Sequence, residues 1–380
     1  MDGAARGLIE PLRARSDEIE KGRRLPPEVA QQIARAGMFR MLVPQSLDGG
    51  EVTPATMVRT LATLAEGDAA AAWCVMTGAT TSLLSAYLPP DAAAKIWKDD
   101  PEVVTAGVFA PTGRAELADG GYRLSGRWGF ASGCENATWR MGGAMVMVDG
   151  KPRMLGGRPE IRSMLFRAED SRIIDTWDVA GLNGTGSHDM EVEGLFVPEA
   201  HTACLMTDAP KHEGALYRFP VFGLLAAGVA AVALGIGRAA IDELSALVKR
   251  KKSFGGKRSL AEGELVQVEV ARAEAELSAG RALLLERCDQ AWQSAQGGAL
   301  SAIDRAGLRM AATHATRGAV RAVDAMYQAG GGTALYRSKS PLQRHLRDVH
   351  TVTQHIMVSP QTDKTIGRVL LGVETDISQL

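Results

Sequence analysis

The side chains of this sequence best suited to metal or thiol chemistry are spaced in ways that argue against both. Cys74, Cys134, Cys204 and Cys288 stand far apart, with no C-x-x-C pair, and read as reduced thiols rather than a disulfide framework. His345, His350 and His355 fall five residues apart. Five helical steps leave a net turn of about 140°, so consecutive members face different ways and cannot share an ion. No metal site is expected. The chain also lacks a phosphate loop, a G-x-G-x-x-G fingerprint and a G-x-S-x-G elbow. Four less specific segments remain. GRWGFASGC sets Ser132 in a turn after Trp128 and Phe130. LNGTGSHDM holds Thr185 and Ser187. KRKKSFGGKR carries Lys251 and Phe254, and QAGGG places Gln328 before Gly330, Gly331 and Gly332. Taken singly, these are turn serines, glycine-rich turns and a basic helix end favoured by the macrodipole.

The elements around these segments are legible from periodicity. Residues 1 to about 102 read as helices, with Leu8, Leu12 and Ile19 on one face and Pro26-Pro27 opening a second helix that Gly37 ends. GDAAAAWCVMTGATTSLLSAYLPP is apolar on all sides and should be a buried helix. Between 103 and 212 the texture changes to short alternating segments such as YRLSGRWGF and DMEVEGLFV, separated by turn residues, which predicts a β unit. From 213 to 380 long helices return. Leu308, Ala312, Ala315, Ala319, Ala322 and Met326 form one stripe; Val266, Val270, Ala273, Leu277, Leu284 and Cys288 form another. Alanine at so many contact positions lets helix axes approach closely, as in an antiparallel bundle. The expected fold class is mainly α with a central β domain.

Composition bounds the partners. The 380 residues are 46% hydrophobic and 23% charged, and 43 basic against 44 acidic residues leave a formal charge of −1. That balance gives no drive toward nucleic acid or an anionic membrane, so a small-molecule partner is expected. Phe219 to Gly237 is a 19-residue run without charge. Its Pro220, four glycines and missing anchors predict a buried bundle helix rather than a membrane span. The opening MDGAARGLIE has no signal-peptide pattern, which predicts a cytoplasmic protein.

The order of LGIGRAAIDEL, KKSFG and QAGGGTALYRSKSPLQRHLRD, all after GRWGFASGC and WDVAGLNGTGSHDMEVEGLFVPE, resembles the acyl-CoA dehydrogenase superfamily over nearly the whole chain. The resemblance implies an N-terminal helical domain, a middle β-barrel or sandwich and a C-terminal four-helix bundle. It also implies flavin. Ser132 would meet the ring near N5, Trp128 and Phe130 would wall it, and Thr185 and Ser187 would donate to the ring or its phosphate. Lys251 and Phe254 would match an Arg-x-x-Phe contact to the tail of a neighbour's flavin, with lysine replacing arginine. Gln328 and Gly330 to Gly332 would match the glycine turn at that tail, where missing Cβ atoms let backbone N–H groups reach phosphate.

Two branches of the superfamily are distinguishable by one carboxylate. A dehydrogenase needs a base for the α-proton, yet after Arg347-Asp348 no acidic residue follows until Asp363, and none lies between Phe219 and Gly237. The pattern instead resembles the oxygenase branch, the two-component flavin monooxygenases. There FMNH2 or FADH2 arrives from a separate reductase, reacts with O2 at C4a, and the hydroperoxide oxidises a phenol- or indole-like aromatic substrate. His355, with an ordinary pKa of about 6.5, matches that branch's active-site histidine, and His350 is the runner-up. Trp73, Met76 and Phe109 are the remaining candidates for the substrate pocket. The absence of a nicotinamide fingerprint fits externally reduced flavin. A homo-oligomer, a tetramer above all, is expected from the shared tail site. The competing readings are a dehydrogenase or flavin oxidase with a displaced base, and a non-catalytic scaffold of the same fold.

Overall fold

The computed structural model describes residues 1–252 and 258–380; Phe254 lies outside them. Helices α1 (Asp2–Gly22), α2 (Pro27–Arg35), α3 (Pro54–Gly67), α4 (Ala69–Thr81) and the short α5 (Pro90–Ala93) precede the strands. Leu8, Leu12 and Ile19 are buried along one face of α1, as their spacing requires. The side chain of Asp68 opens α4 by accepting the Ala71 N–H at 2.9 Å. Apolar all round, α4 is buried on nearly every side.

Ten strands follow: β1 (Thr105–Ala118), β2 (Gly121–Trp128), β3 (Trp139–Val148), β4 (Lys151–Pro152), β5 (Met154–Leu155), β6 (Arg158–Pro159), β7 (Ile161–Arg167), β8 (Arg172–Ile174), β9 (Asp189–Pro198) and β10 (Thr202–Ala203). Eight form one mixed sheet in the order β10-β7-β3-β1-β2-β9-β8, with β4 on β3, while β5 and β6 pair separately. Among the described residues only β1 and β3 run parallel, and their register jumps between Val108 and Gly113. This irregularity accompanies the filling of the sheet's interior by Trp128. Cβ atoms built on Gly113, Gly126 and Gly142 would lie 2.4–2.7 Å from its indole, so glycine is required at all three.

The chain ends in α6 (Val221–Arg250), α7 (Glu264–Gly297), α8 (Ala302–Gly330), α9 (Leu342–Val352) and α10 (Gln361–Leu370). Helix α6 packs on α3 and α4 on one side and on α7, α8 and α9 on the other. That position explains why it is apolar all round: its hydrophobic window is 94% buried within the protein. All six residues of the α8 stripe are buried, as are Ala273, Leu277, Leu284 and Cys288 of α7. One hydrophobic core runs from the N-terminal helices into the bundle, and a second fills the β unit.

Candidate active site

A chain of four side chains lies where the β unit meets α4. After β2 the backbone turns sharply at Phe130, whose φ is 62°. The turn is then pinned to the 185–188 loop: Ala131 N–H donates to the His188 carbonyl at 3.0 Å and Gly133 N–H to the Thr185 carbonyl at 2.8 Å. Trp73 of α4 donates its indole N–H to Ser132 Oγ at 3.0 Å. Ser132 Oγ lies 2.7 Å from Ser187 Oγ, which lies 2.6 Å from Thr185 Oγ1. Thr185 Oγ1 donates to the Leu182 carbonyl at 2.8 Å. Ser132, Thr185 and Ser187 are all buried.

The loop that carries this chain is held from the bundle. Leu182 has a left-handed φ of 53°, unfavourable for a side chain with a Cβ. Its N–H donates to Asp348 Oδ1 of α9 at 2.6 Å. Arg347 donates to the Ala180 carbonyl and to Glu20, each at 2.6 Å. A Cβ on Gly181 would fall 2.3 Å from the Arg347 carbonyl, so the loop lies directly on the helix backbone. Burial pushes the Asp348 carboxyl up to about 7, against the opposing hydrogen bond from Leu182.

His355 follows α9 and caps a short 3-10 turn, Ile356–Val358, its Nδ1 accepting the Met357 N–H at 3.2 Å. Its ring stands edge-on to Trp73, centroids 5.5 Å apart and planes at 71°. Burial, helped by the charge of Arg309, pushes its pKa down to about 4. The ordinary value expected from sequence is therefore corrected: His355 is neutral at physiological pH. With Nδ1 accepting, the neutral ring carries its proton on Nε2. Trp73 thus joins a hydroxyl chain to a neutral N–H donor.

Other expected site residues are placed differently. Trp128 does not wall an open face; it is fully enclosed, and its indole N–H donates to the Gly143 carbonyl at 2.7 Å. Met76 is likewise core, packed between α4 and α6 where a Cβ on Gly228 would meet it. His350 is exposed and pairs with Asp324 at 2.8 Å. Phe109 lies in the irregular part of β1 and packs half-buried against the helical cores. Thr185 and Ser187 sit behind Ser132, their hydroxyls engaged within the chain. Phe130 is 76% exposed, its ring 6.0 Å from that of Trp177. Sequence reasoning missed the Asp348–Leu182 clamp and the buried His188, whose Nδ1 accepts the Thr176 and Trp177 N–H groups, each at 3.2 Å.

The tail residues converge across 79 positions of sequence: Lys251 Nζ donates to the Gly330 carbonyl at 3.2 Å. Gly331 is left-handed, with φ 57°, and a Cβ on Gly332 would meet nothing within 4 Å. Exposed Gln328 lies in the last turn of α8 beside them, its carbonyl accepting the Gly331 N–H. A cation beside an open glycine turn suits an anionic group.

A cavity of about 300 Å³ shares no lining residue with the hydroxyl chain. Arg13, Asp68, Glu243, Arg344, His345 and Asp348 line it, between α1, α6 and α9. Burial and the Arg344 charge push His345 down to about 3, so it too is neutral.

Three helical and β layers around a hydroxyl turn define an acyl-CoA dehydrogenase-like fold, and residues 227–360 match the family described as acyl-CoA dehydrogenase, C-terminal domain. Indole-3-acetate monooxygenase of Pseudomonas putida is 33% identical, over 95% of this chain and 90% of the relative. The oxygenase component of the FADH(2)-dependent resorcinol hydroxylase of Rhizobium sp. is 31% identical, over 98% and 94%. The crystal structure of 3-HSA hydroxylase from Rhodococcus sp. RHA1 superposes with a TM-score of 0.89, covering 98% of this chain and 97% of that one at 26% identity. The chain belongs to the flavin-dependent monooxygenases of the acyl-CoA dehydrogenase superfamily. Its residues fit the cofactor: Ser132 keeps a lone pair, His355 an N–H, and Lys251 with the glycine turn offers an anion site.

Proposed function

We propose that this oxygenase takes flavin already reduced by a separate reductase and passes one atom of O2 to an electron-rich aromatic or heteroaromatic small molecule in the cytoplasm. The names of the two relatives, acting on indole-3-acetate and resorcinol, support an indole- or phenol-like substrate. Bound reduced flavin supplies the electrons that activate oxygen. The chain's part is to place Ser132 at the flavin's N5 side and to hold His355 Nε2–H toward the oxygen-reacting face. Trp73 keeps the two in register. Lys251, Gln328 and the turn at Gly330–Gly332 would hold the phosphate tail, with a neighbouring subunit completing the site in a homo-oligomer.

One observation carries this reading: an N–H donor that stays neutral and a serine hydroxyl meet on the same tryptophan. A dehydrogenase base is not at hand, because Asp348 accepts the Leu182 N–H and Asp363 pairs with Arg317 at 2.8 Å. The test is to mix the protein holding reduced flavin with oxygenated buffer, with indole-3-acetate or resorcinol present, in a stopped-flow instrument. Hydroxylated product in proportion to flavin oxidised supports the proposal. Flavin oxidation that yields only hydrogen peroxide with every phenol and indole tried would refute the substrate class. Turnover on NADH or NADPH without a reductase would refute the two-component assignment.

A further inference from the structure

The hydroxyl chain has a direction, and it follows from counting protons. Thr185 Oγ1 lies 2.8 Å from the Leu182 carbonyl, which can only accept. Two oxygens at that separation with no proton between them would set lone pair against lone pair, so Thr185 donates. Its single proton is then used. The 2.6 Å contact between Thr185 and Ser187 must be made by the Ser187 proton, and the 2.7 Å contact between Ser187 and Ser132 by the Ser132 proton. From the other side, the Trp73 indole N–H fills one lone pair of Ser132 at 3.0 Å, and indole cannot accept in return. Ser132, Thr185 and Ser187 are 4%, 1% and 3% exposed, so solvent has little access to supply a different proton. What Ser132 retains is one lone pair and no proton.

The two redox states of flavin differ at N5 in that respect: the reduced ring carries N5–H, a donor, and the oxidised ring a bare N5, an acceptor. Resting on the placement of Ser132 at N5 proposed above, we infer that the Leu182–Thr185–Ser187 chain polarises Ser132 as an acceptor and so selects reduced over oxidised flavin. Thr185 and Ser187 are positioning residues; neither touches the cofactor. An oxidised ring meets a lone pair facing a lone pair unless the whole chain reverses, which strips the proton from the Thr185–Leu182 contact. An oxygenase fed with reduced flavin from solution gains from this, because its spent cofactor is released in favour of the next reduced one.

Thr185→Val tests the inference with nearly unchanged shape. Without the Thr185 hydroxyl, Ser187 is free to donate to Ser132, and Ser132 to donate to oxidised N5. Dissociation constants for oxidised and reduced flavin, together with the midpoint potential of bound flavin, separate this from a structural effect. The ratio of oxidised to reduced dissociation constants should fall about tenfold, the worth of one net hydrogen bond, lowering the two-electron potential of bound flavin by about 30 mV. Thr185→Ser should restore the wild-type ratio, and Ser187→Ala should shift it in the same direction as Thr185→Val. Equal weakening of both redox states in Thr185→Val and Ser187→Ala, or no change in either variant, would overturn the inference while leaving the flavin site in place. Failure of the wild-type protein to bind reduced flavin would overturn the site assignment and the inference with it.

Discussion

The Asp348 carboxylate accepts the Leu182 N–H at 2.6 Å, tying α9 of the bundle to the loop on which the hydroxyl chain ends. Asp348→Ala leaves that buried N–H unpaired and removes what holds Leu182 in its left-handed conformation. It should cost about 1–3 kcal/mol in urea unfolding and weaken flavin binding too. The pH dependence has a definite sign. Burial raises the Asp348 carboxyl from 3.8 to about 7 in the folded state, so that state binds the proton more tightly and stability from this group falls as pH rises through that window. Asp348→Asn abolishes this slope: its stability relative to wild type should rise between about pH 4 and 7. A parallel pair of stability curves would show that Asp348 does not titrate there.

Much of the architecture was legible because it rests on periodicity. Leu308 to Met326 could be read as one face, and the Phe219–Gly237 run as a buried helix, because side-chain direction follows backbone repeat. Site residues defeated the same reasoning wherever the repeat stops. Period-two alternation puts Trp128 and Phe130 on one face; the left-handed Phe130 breaks the strand, leaving Trp128 inside and Phe130 out. Helical steps relate His350 to His355 only if the helix continues, yet α9 ends at Val352. In a helix apolar all round, like α4, pattern alone does not separate a core Met76 from a Trp73 that reaches Ser132. The Arg347-Asp348 pair was visible, but its partner loop lies some 166 positions away and no local signal connects them.

His355 should act as a donor that never titrates in the working range. Its folded pKa of about 4 lies below the ordinary 6.5, so the folded state binds fewer protons between those values. The stability this contributes is complete above about pH 6.5 and is lost as pH falls toward 4. A pH profile of product formation should therefore show no limb near 6.5 that belongs to His355. His355→Ala should lower the fraction of flavin oxidation ending in product by about 100-fold, the scale of one preorganised donor, while His355→Gln, which keeps an N–H, should retain more. A limb near pH 6.5 that disappears in His355→Gln would contradict the neutral donor.

Phe130 combines two unfavourable features, a φ of 62° and a ring 76% exposed. Strain of this kind persists where function requires it. Phe130→Gly should raise stability by about 1 kcal/mol by relieving the backbone, since a left-handed residue with a Cβ costs roughly 1–2 kcal/mol. The same change should weaken binding of reduced flavin, which loses the ring beside Trp177. Thermal unfolding and flavin titration on one variant read both effects. A stability gain with unchanged flavin affinity would leave Phe130 outside the cofactor site.

Lys251 stands apart from that strained turn, so its removal should separate tail binding from ring binding. Its ammonium donates to the Gly330 carbonyl at 3.2 Å in a part-buried contact, a single hydrogen bond to a neutral acceptor. Lys251→Ala should lower unfolding stability by no more than about 0.5–1.5 kcal/mol, the net worth of one hydrogen bond. A charge-assisted bond to phosphate is worth about 1.5–3 kcal/mol, so the dissociation constant for reduced flavin should rise at least tenfold. Part of that difference should vanish at high salt, because screening removes the attraction that wild type enjoys. The effect should also depend on the phosphate tail: riboflavin, which has none, should bind wild type and variant alike. If Lys251 serves a neighbour's flavin, dilution below the assembly's dissociation constant should lower wild-type affinity to that of the variant, in parallel with a change in sedimentation. Equal loss of riboflavin and phosphorylated flavin in Lys251→Ala would mean that the lysine supports the fold of α8's end rather than the phosphate.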